Sequence, residues 1–125
     1  MAVTHPTAVR TGIANFVVDQ LDEGTPPGLL VMLTAGSVEV ATLTFSNPAY
    51  GAAVAGVATA SAIAADTSAT GGTVAKAEQQ NAAGTAKILC SVTATGGGGD
   101  ITLNSVVISA LQQVSITSLT YTAPP

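Results

Sequence analysis

The hydrophobic pattern of this chain changes period once, across Gly24-Thr25-Pro26-Pro27-Gly28. Before that run, Val9, Ile13, Phe16, Val17 and Leu21 recur at spacings of three and four, which predicts a helix over residues 7–23 with one apolar face. Thr7 is its expected N-cap and Gly24 its stop. Gly12 weakens the helix, and Arg10 in the first turn opposes the dipole, as do Asp19, Asp22 and Glu23 in the last. Packing, rather than propensity, must therefore hold it.

After the run come short β-like stretches separated by turn residues. They are 29–34, 38–45, 54–65, whose alanines favour helix while its alternation favours strand, a polar stretch at 73–80 expected at an edge or with one side in solvent, 85–93, 101–108 and a last strand bulged near Thr117 and Ser118. Ala35-Gly36-Ser37 reads as a hairpin break, Asn81-Ala82-Ala83-Gly84 as a turn, and Gly96 to Gly99 as a flexible link. The expectation is a single mainly β domain over 1–125, with an arm at 1–6, a helix at 7–23 and strands within 29–122. Its expected architecture is an antiparallel β-sandwich, in jelly-roll form as one variant, with about seven or eight strands and one N-terminal α-helix.

Composition narrows what such a domain does. Only 3% of the 125 residues are aromatic, so Phe16, Phe45, Tyr50 and Tyr121 are expected in a thin core. Charged residues make up 8% and the net charge is −4, which disfavours nucleic acid because phosphates need clustered Lys and Arg. A basic membrane-surface helix is lacking, and Tyr50 to Ala65 is too short and too rich in Ala, Thr and Ser for a membrane span. Pro6 interrupts any apolar run after Met1, from which synthesis and residence in the cytoplasm are expected. Cys90, the single cysteine, has no partner for a disulfide and reads as a small buried hydrophobe.

Residues that carry chemistry are sparse. His5 is the only histidine, so neither a histidine triad nor a zinc site is expected, and no cofactor. Asp19, Asp22 and Glu23 cluster without the spacing of a calcium loop; they read as a solvated helix end, or as an acidic contact for a partner's Arg or Lys. The four glycines before Asp100 are followed by no Gly-Lys-Ser/Thr and make no phosphate cradle. The chain is expected to be no enzyme.

Three stretches resemble a group of small proteins encoded among the head and structural genes of tailed bacteriophages. RTGIANFVVDQLDEG, from Arg10 to Gly24, resembles that group's opening ANxVVDxIDxG pattern. ATLTFSNPAYGAAVAGVATASAIAADTSATGGT, from Ala41 to Thr73, is similar to its LxFSDPAFG…GVATA centre. GDITLNSVVI from Gly99 and QQVSITSLTYTAP from Gln112 resemble its closing strands. The pattern departs between Lys76 and Ala86, where the group is richer in aromatics.

The resemblance implies a capsid cement or decoration protein on the virion exterior, a β-sandwich that binds the major capsid protein and assembles with itself as a homodimer or homotrimer. His5 and Pro6 in the arm, Arg10, and Asp19, Asp22 and Glu23 are the expected protein contacts, the arm lying across a neighbouring subunit and the acids meeting a basic capsid patch. The rival expectations are a glycan- or receptor-binding module of a tail fibre, and another tail or head-completion protein. The first is disfavoured if the core takes all four aromatics.

Overall fold

The computed structural model describes residues 3–25 and 27–125; Met1 and Ala2 of the arm and Pro26 of the turn lie outside the described residues. The chain is mainly β with one N-terminal helix. Helix α1 spans Thr7–Asp19 and continues as a 3-10 turn over Gln20–Asp22, ending before Gly24, whose φ of 82° takes the chain out of the helical direction. The N-cap is Pro6 rather than Thr7. Pro6 lends its carbonyl to Arg10 N at 3.0 Å, and its fixed, extended backbone starts the ladder without a side-chain cap.

The inward face of the helix is rotated from the one its apolar spacing predicts. Leu21 is buried and Ile13 packs against the core as expected, but Ala14 and Val18 are buried with them, whereas Val9 and Phe16 stand outside, Phe16 68% exposed. The cause is polar. Thr11 Oγ1 accepts the amide of Gly56 (3.1 Å), Asn15 Oδ1 that of Ala53 (2.8 Å) and Asp22 Oδ1 that of Ala49 (2.9 Å). Positions 11, 14, 15, 18, 21 and 22 follow the three-four spacing of one helix stripe, so the acceptors and the small apolar residues share a side. The segment 49–56 runs antiparallel along that side, and its amides at Ala49, Ala53 and Gly56, which have no backbone acceptor among the described residues, find these side chains.

Nine strands follow among the described residues: β1 (Leu29–Leu33), β2 (Glu39–Thr44), β3 (Val57–Thr59), β4 (Gly72–Thr73), β5 (Lys76–Gln80), β6 (Ala86–Ala94), β7 (Ile101–Leu103), β8 (Val107–Ile108) and β9 (Thr120–Thr122). Five of them form a mixed sheet in the order β2-β1-β5-β6-β7, while β3 pairs β9 and β4 pairs β8 in two small antiparallel ribbons. The β1–β2 hairpin turns where expected, with Ser37 at φ 67° and Thr34 N bonded to Val38 O at 2.9 Å. Within the stretch read as strand over 54–65, only 57–59 forms a ladder; Ala60 and Ala64 add single bridges.

β5 departs from the edge position its polarity allows. It lies at the centre of the sheet between β1 and β6, with Ala77 and Gln79 buried and Lys76, Glu78 and Gln80 half-buried on the other side. Its register sets Gln79 opposite Leu30 and Ile88, and Ala77 opposite Met32 and Cys90. Leu30, Met32, Leu43 and Val40 of this sheet join Val18 and Leu21 of the helical segment in one core. Phe45 and Tyr50 are buried in it, their ring centroids 6.0 Å apart.

The sheet is not wholly antiparallel, because β6 and β7 run parallel, Val92 beside Ile101 and Ala94 beside Leu103. A short return suffices since β7 is only three residues long, and the glycines at 96–99 make that return tight instead of flexible. Gly99 N bonds to Thr93 Oγ1 at 3.0 Å, and a Cβ on Gly97 would come within 2.7 Å of Thr93 Cβ. Asp100 Oδ2 locks the end by accepting Ser91 N at 2.9 Å.

Candidate functional site

The six residues expected to contact a partner separate into three groups. His5, Pro6 and Asp19 are exposed. Arg10 and Asp22 serve the fold: Asp22 holds Ala49 N, and Arg10 lies half-buried against Gly56, its Nε shielded from solvent without a hydrogen bond. Glu23 Oε1 meets Lys87 Nζ at 3.3 Å. That pair lies at the surface and contributes little. The acidic cluster of the sequence is thus one solvated carboxylate, one backbone acceptor and one surface ion pair. Replacing Asp22 by Ala is expected to destabilise the chain by about 1.5–3 kcal/mol, because a charged acceptor leaves a half-buried amide unpaired. Asp22→Asn, which keeps an acceptor oxygen, should lose clearly less in the same urea titration.

Three polar groups of the interior form one chain. Tyr50 OH donates to Gln79 Oε1 at 2.7 Å, and Gln79 Nε2 donates to Cys90 Sγ at 3.4 Å. Gln79 is 2% exposed, so both ends of its amide are used where water is scarce. Burial raises the Tyr50 phenol above its ordinary range, against the opposing pull of the Gln79 bond, with Cys90 adding to the rise. Burial also raises the Cys90 thiol, with Gln79 opposing and Asp100 adding. Cys90 is half-buried instead of buried, and its thiol stays protonated at neutral pH.

A pH dependence follows from these two acids. Folding holds both protons more tightly than the unfolded chain does. Their contribution is complete below the ordinary thiol value of about 8.5 and is lost as pH rises beyond it. The urea midpoint is expected to be flat through neutrality and lower at about pH 10, with a smaller fall in Cys90→Ala. Equal midpoints at the two pH values would remove the assignment.

Among the described residues no group of three or more His, Cys, Asp or Glu gathers as metal ligands do, and no helix is long and apolar enough to cross a membrane. Several large apolar side chains stand exposed. Val9 and Phe16 stand on the outer side of α1, Leu89 on β6, Val38 at the start of the β2 side of the hairpin, and Val107 and Leu111 near Gly71. Leu111 is 75% exposed at φ 67°, a left-handed backbone that a leucine rarely adopts. Hydropathy alone assigns Phe16 to the core; the signal that would have corrected it is the stripe of acceptors Thr11, Asn15 and Asp22 on the opposite side. No protein-family model, curated protein or solved structure matches this chain.

Proposed function

We propose that this chain is a capsid cement or decoration protein of a tailed bacteriophage. It is a non-enzymatic β-sandwich that binds the outside of the shell and clamps neighbouring major capsid subunits. The observation that carries the reading is the outer side of α1, where Phe16 and Val9 stand in solvent although the chain has only four aromatics for its core. A helix with apolar residues on both sides and only its inner side covered has a second surface to bury. Asp19 borders that surface and is free to meet a basic group, while His5 and Pro6 extend from the other end of the helix to a neighbour.

Other features support the reading. The three resembling stretches span α1, the segment with β2 and β3, and the last strands. A sandwich architecture is favoured by β1, whose residues Leu30 to Leu33 are buried on both sides of the sheet, and by a core drawn from the large sheet, the helix and the ribbons. Attachment at many modest contacts suits a sparsely charged surface, since bridging subunits multiplies weak affinities.

The exposed ring of Phe16 also favours a second reading, a glycan- or receptor-binding module of a tail fibre, because sugars stack on such rings. Copy number separates the two. Quantitative mass spectrometry of purified virions should find on the order of hundreds of copies for a shell protein, and about six or twelve for a tail or connector component, following the symmetry of each. Absence from virions would end both readings.

A further inference from the structure

One side of the interior is left open. Ala60, Ile63, Ile88, Cys90, Ile116 and Tyr121 pack against the core yet remain partly exposed, and all six line one of three clefts that meet at Leu119. The clefts have volumes of about 420, 280 and 220 Å³. A packed interior leaves few voids larger than one water, whose share of the liquid is about 30 Å³. This face therefore has room that the chain's own side chains do not fill.

The segment 115–120 crosses the face as a ridge. The chain bends at Thr117, and Thr117 and Ser118 stand exposed. The largest cleft lies on their β7 side and the smallest on the side of 60–63, so the ridge has a hollow on each flank. Residues 115–118 make no backbone hydrogen bond among the described residues, which leaves the polar groups of the ridge for water or for an incoming surface. Ile101, Leu103 and Leu119 are buried at the floor, while Thr102, Asn104 and Ser115 stand exposed around them. An apolar centre inside a neutral polar rim is the anatomy of a protein interface.

Size, charge and shape together select the occupant. About twenty residues line the three clefts, close to the roughly 20–30 that one side of a standard interface uses. Among them only Asp100 is charged, and its Oδ2 is held by Ser91 N at 2.9 Å and Ser91 Oγ at 3.2 Å. Two chains of net charge −4 repel where their acids meet, and on this face they approach without that cost. A basic partner, the natural complement of an acidic chain, finds no line of carboxylates here. A two-fold contact needs one patch that supplies both the projecting and the receiving part, and a ridge beside its own hollow supplies both.

We propose that this face is the contact between two copies of the chain, the ridge at 116–118 of each seating in the hollow beside β7 of the other about a two-fold axis. The proposal concerns the purified chain alone and stands apart from shell binding, which copy counting on virions decides.

Light scattering over a dilution series tests it, with the full chain, a chain lacking residues 1–5, Thr117→Lys, Thr117→Glu and a mixture of the last two. The full chain should weigh two chains and dissociate at about micromolar concentration or below. The truncated chain should behave alike. Each Thr117 variant alone should dimerise about a hundredfold more weakly or worse, because like charges are brought together, and the mixture should recover the dimer. Recovery in the mixture also establishes that both variants fold. In the parent, the amides of 115–118 should exchange about tenfold more slowly at concentrations that favour the dimer than after dilution. Four outcomes overturn the proposal: a chain monomeric at every concentration, an assembly of any size other than two, association that both Thr117 variants leave intact, or association lost with residues 1–5.

Discussion

Phe16→Ser is expected to leave folding stability within about 0.5 kcal/mol of the parent, as for other surface substitutions, and, on the capsid reading proposed above, to lower occupancy on the shell about thirtyfold or more. The two halves of this expectation have separate causes. The ring is 68% exposed and lies opposite the buried stripe of α1, so its loss removes little packing. At an interface, a large aromatic at the centre of an apolar patch typically carries about 2 kcal/mol or more, which is the thirtyfold. Urea denaturation measures the first half, and co-sedimentation with shells stripped of the protein measures the second. Unchanged occupancy would overturn the proposed shell contact through α1.

Gly28→Ala is expected to have the largest effect on the fold, about 3 kcal/mol or more of lost stability and a fall in Tm on the order of 10 °C. At Gly28 the chain passes between the end of the 3-10 turn and the end of β5. A Cβ there would press on the carbonyl oxygen of Gln80 and come within 2.9 Å of that of Leu21. Both are backbone atoms held by their own elements and cannot swing aside. Gly28 O also accepts Phe45 N at 3.0 Å, so displacing it disturbs the end of β2 as well. The same substitution at Gly12 should have the opposite sign. Nothing lies within 4 Å of a Cβ at that exposed helical position, and alanine gains about 0.5–1 kcal/mol in helix propensity. Thermal unfolding of the two variants side by side tests whether confinement, rather than glycine as such, sets the outcome.

Local patterns carried the fold as far as local causes reach. The helix, the Gly24 stop, the hairpin at Ala35 to Ser37 and the β-rich remainder follow from period and turn chemistry, and all are present. The missed features depend on partners distant in the chain. The inner face of α1 follows from the amides of Ala49, Ala53 and Gly56, whose need for acceptors no helix pattern encodes. The polarity of β5 allows an edge or a strand with one side toward solvent; it is central, with one face partly exposed and Gln79 buried on the other, where Tyr50 and Cys90 take both ends of its amide. The glycines at 96–99 read as slack because nothing in their own run names Thr93 as the wall they must pass. Of the candidate contact residues, His5, Pro6 and Asp19 are exposed, while Arg10 lies against Gly56 and Asp22 accepts the amide of Ala49, contacts that no local pattern announces.

The scarcity of ionisable groups also determines how this molecule approaches anything it binds. With 8% charged residues and Glu23 already paired with Lys87, the field is weak beyond the Debye length of about 10 Å at 0.1 M salt. Encounter then proceeds at the unsteered rate of about 10⁵–10⁶ M⁻¹s⁻¹, nearly indifferent to ionic strength. On the proposed capsid reading, affinity then rests on slow release rather than on fast encounter.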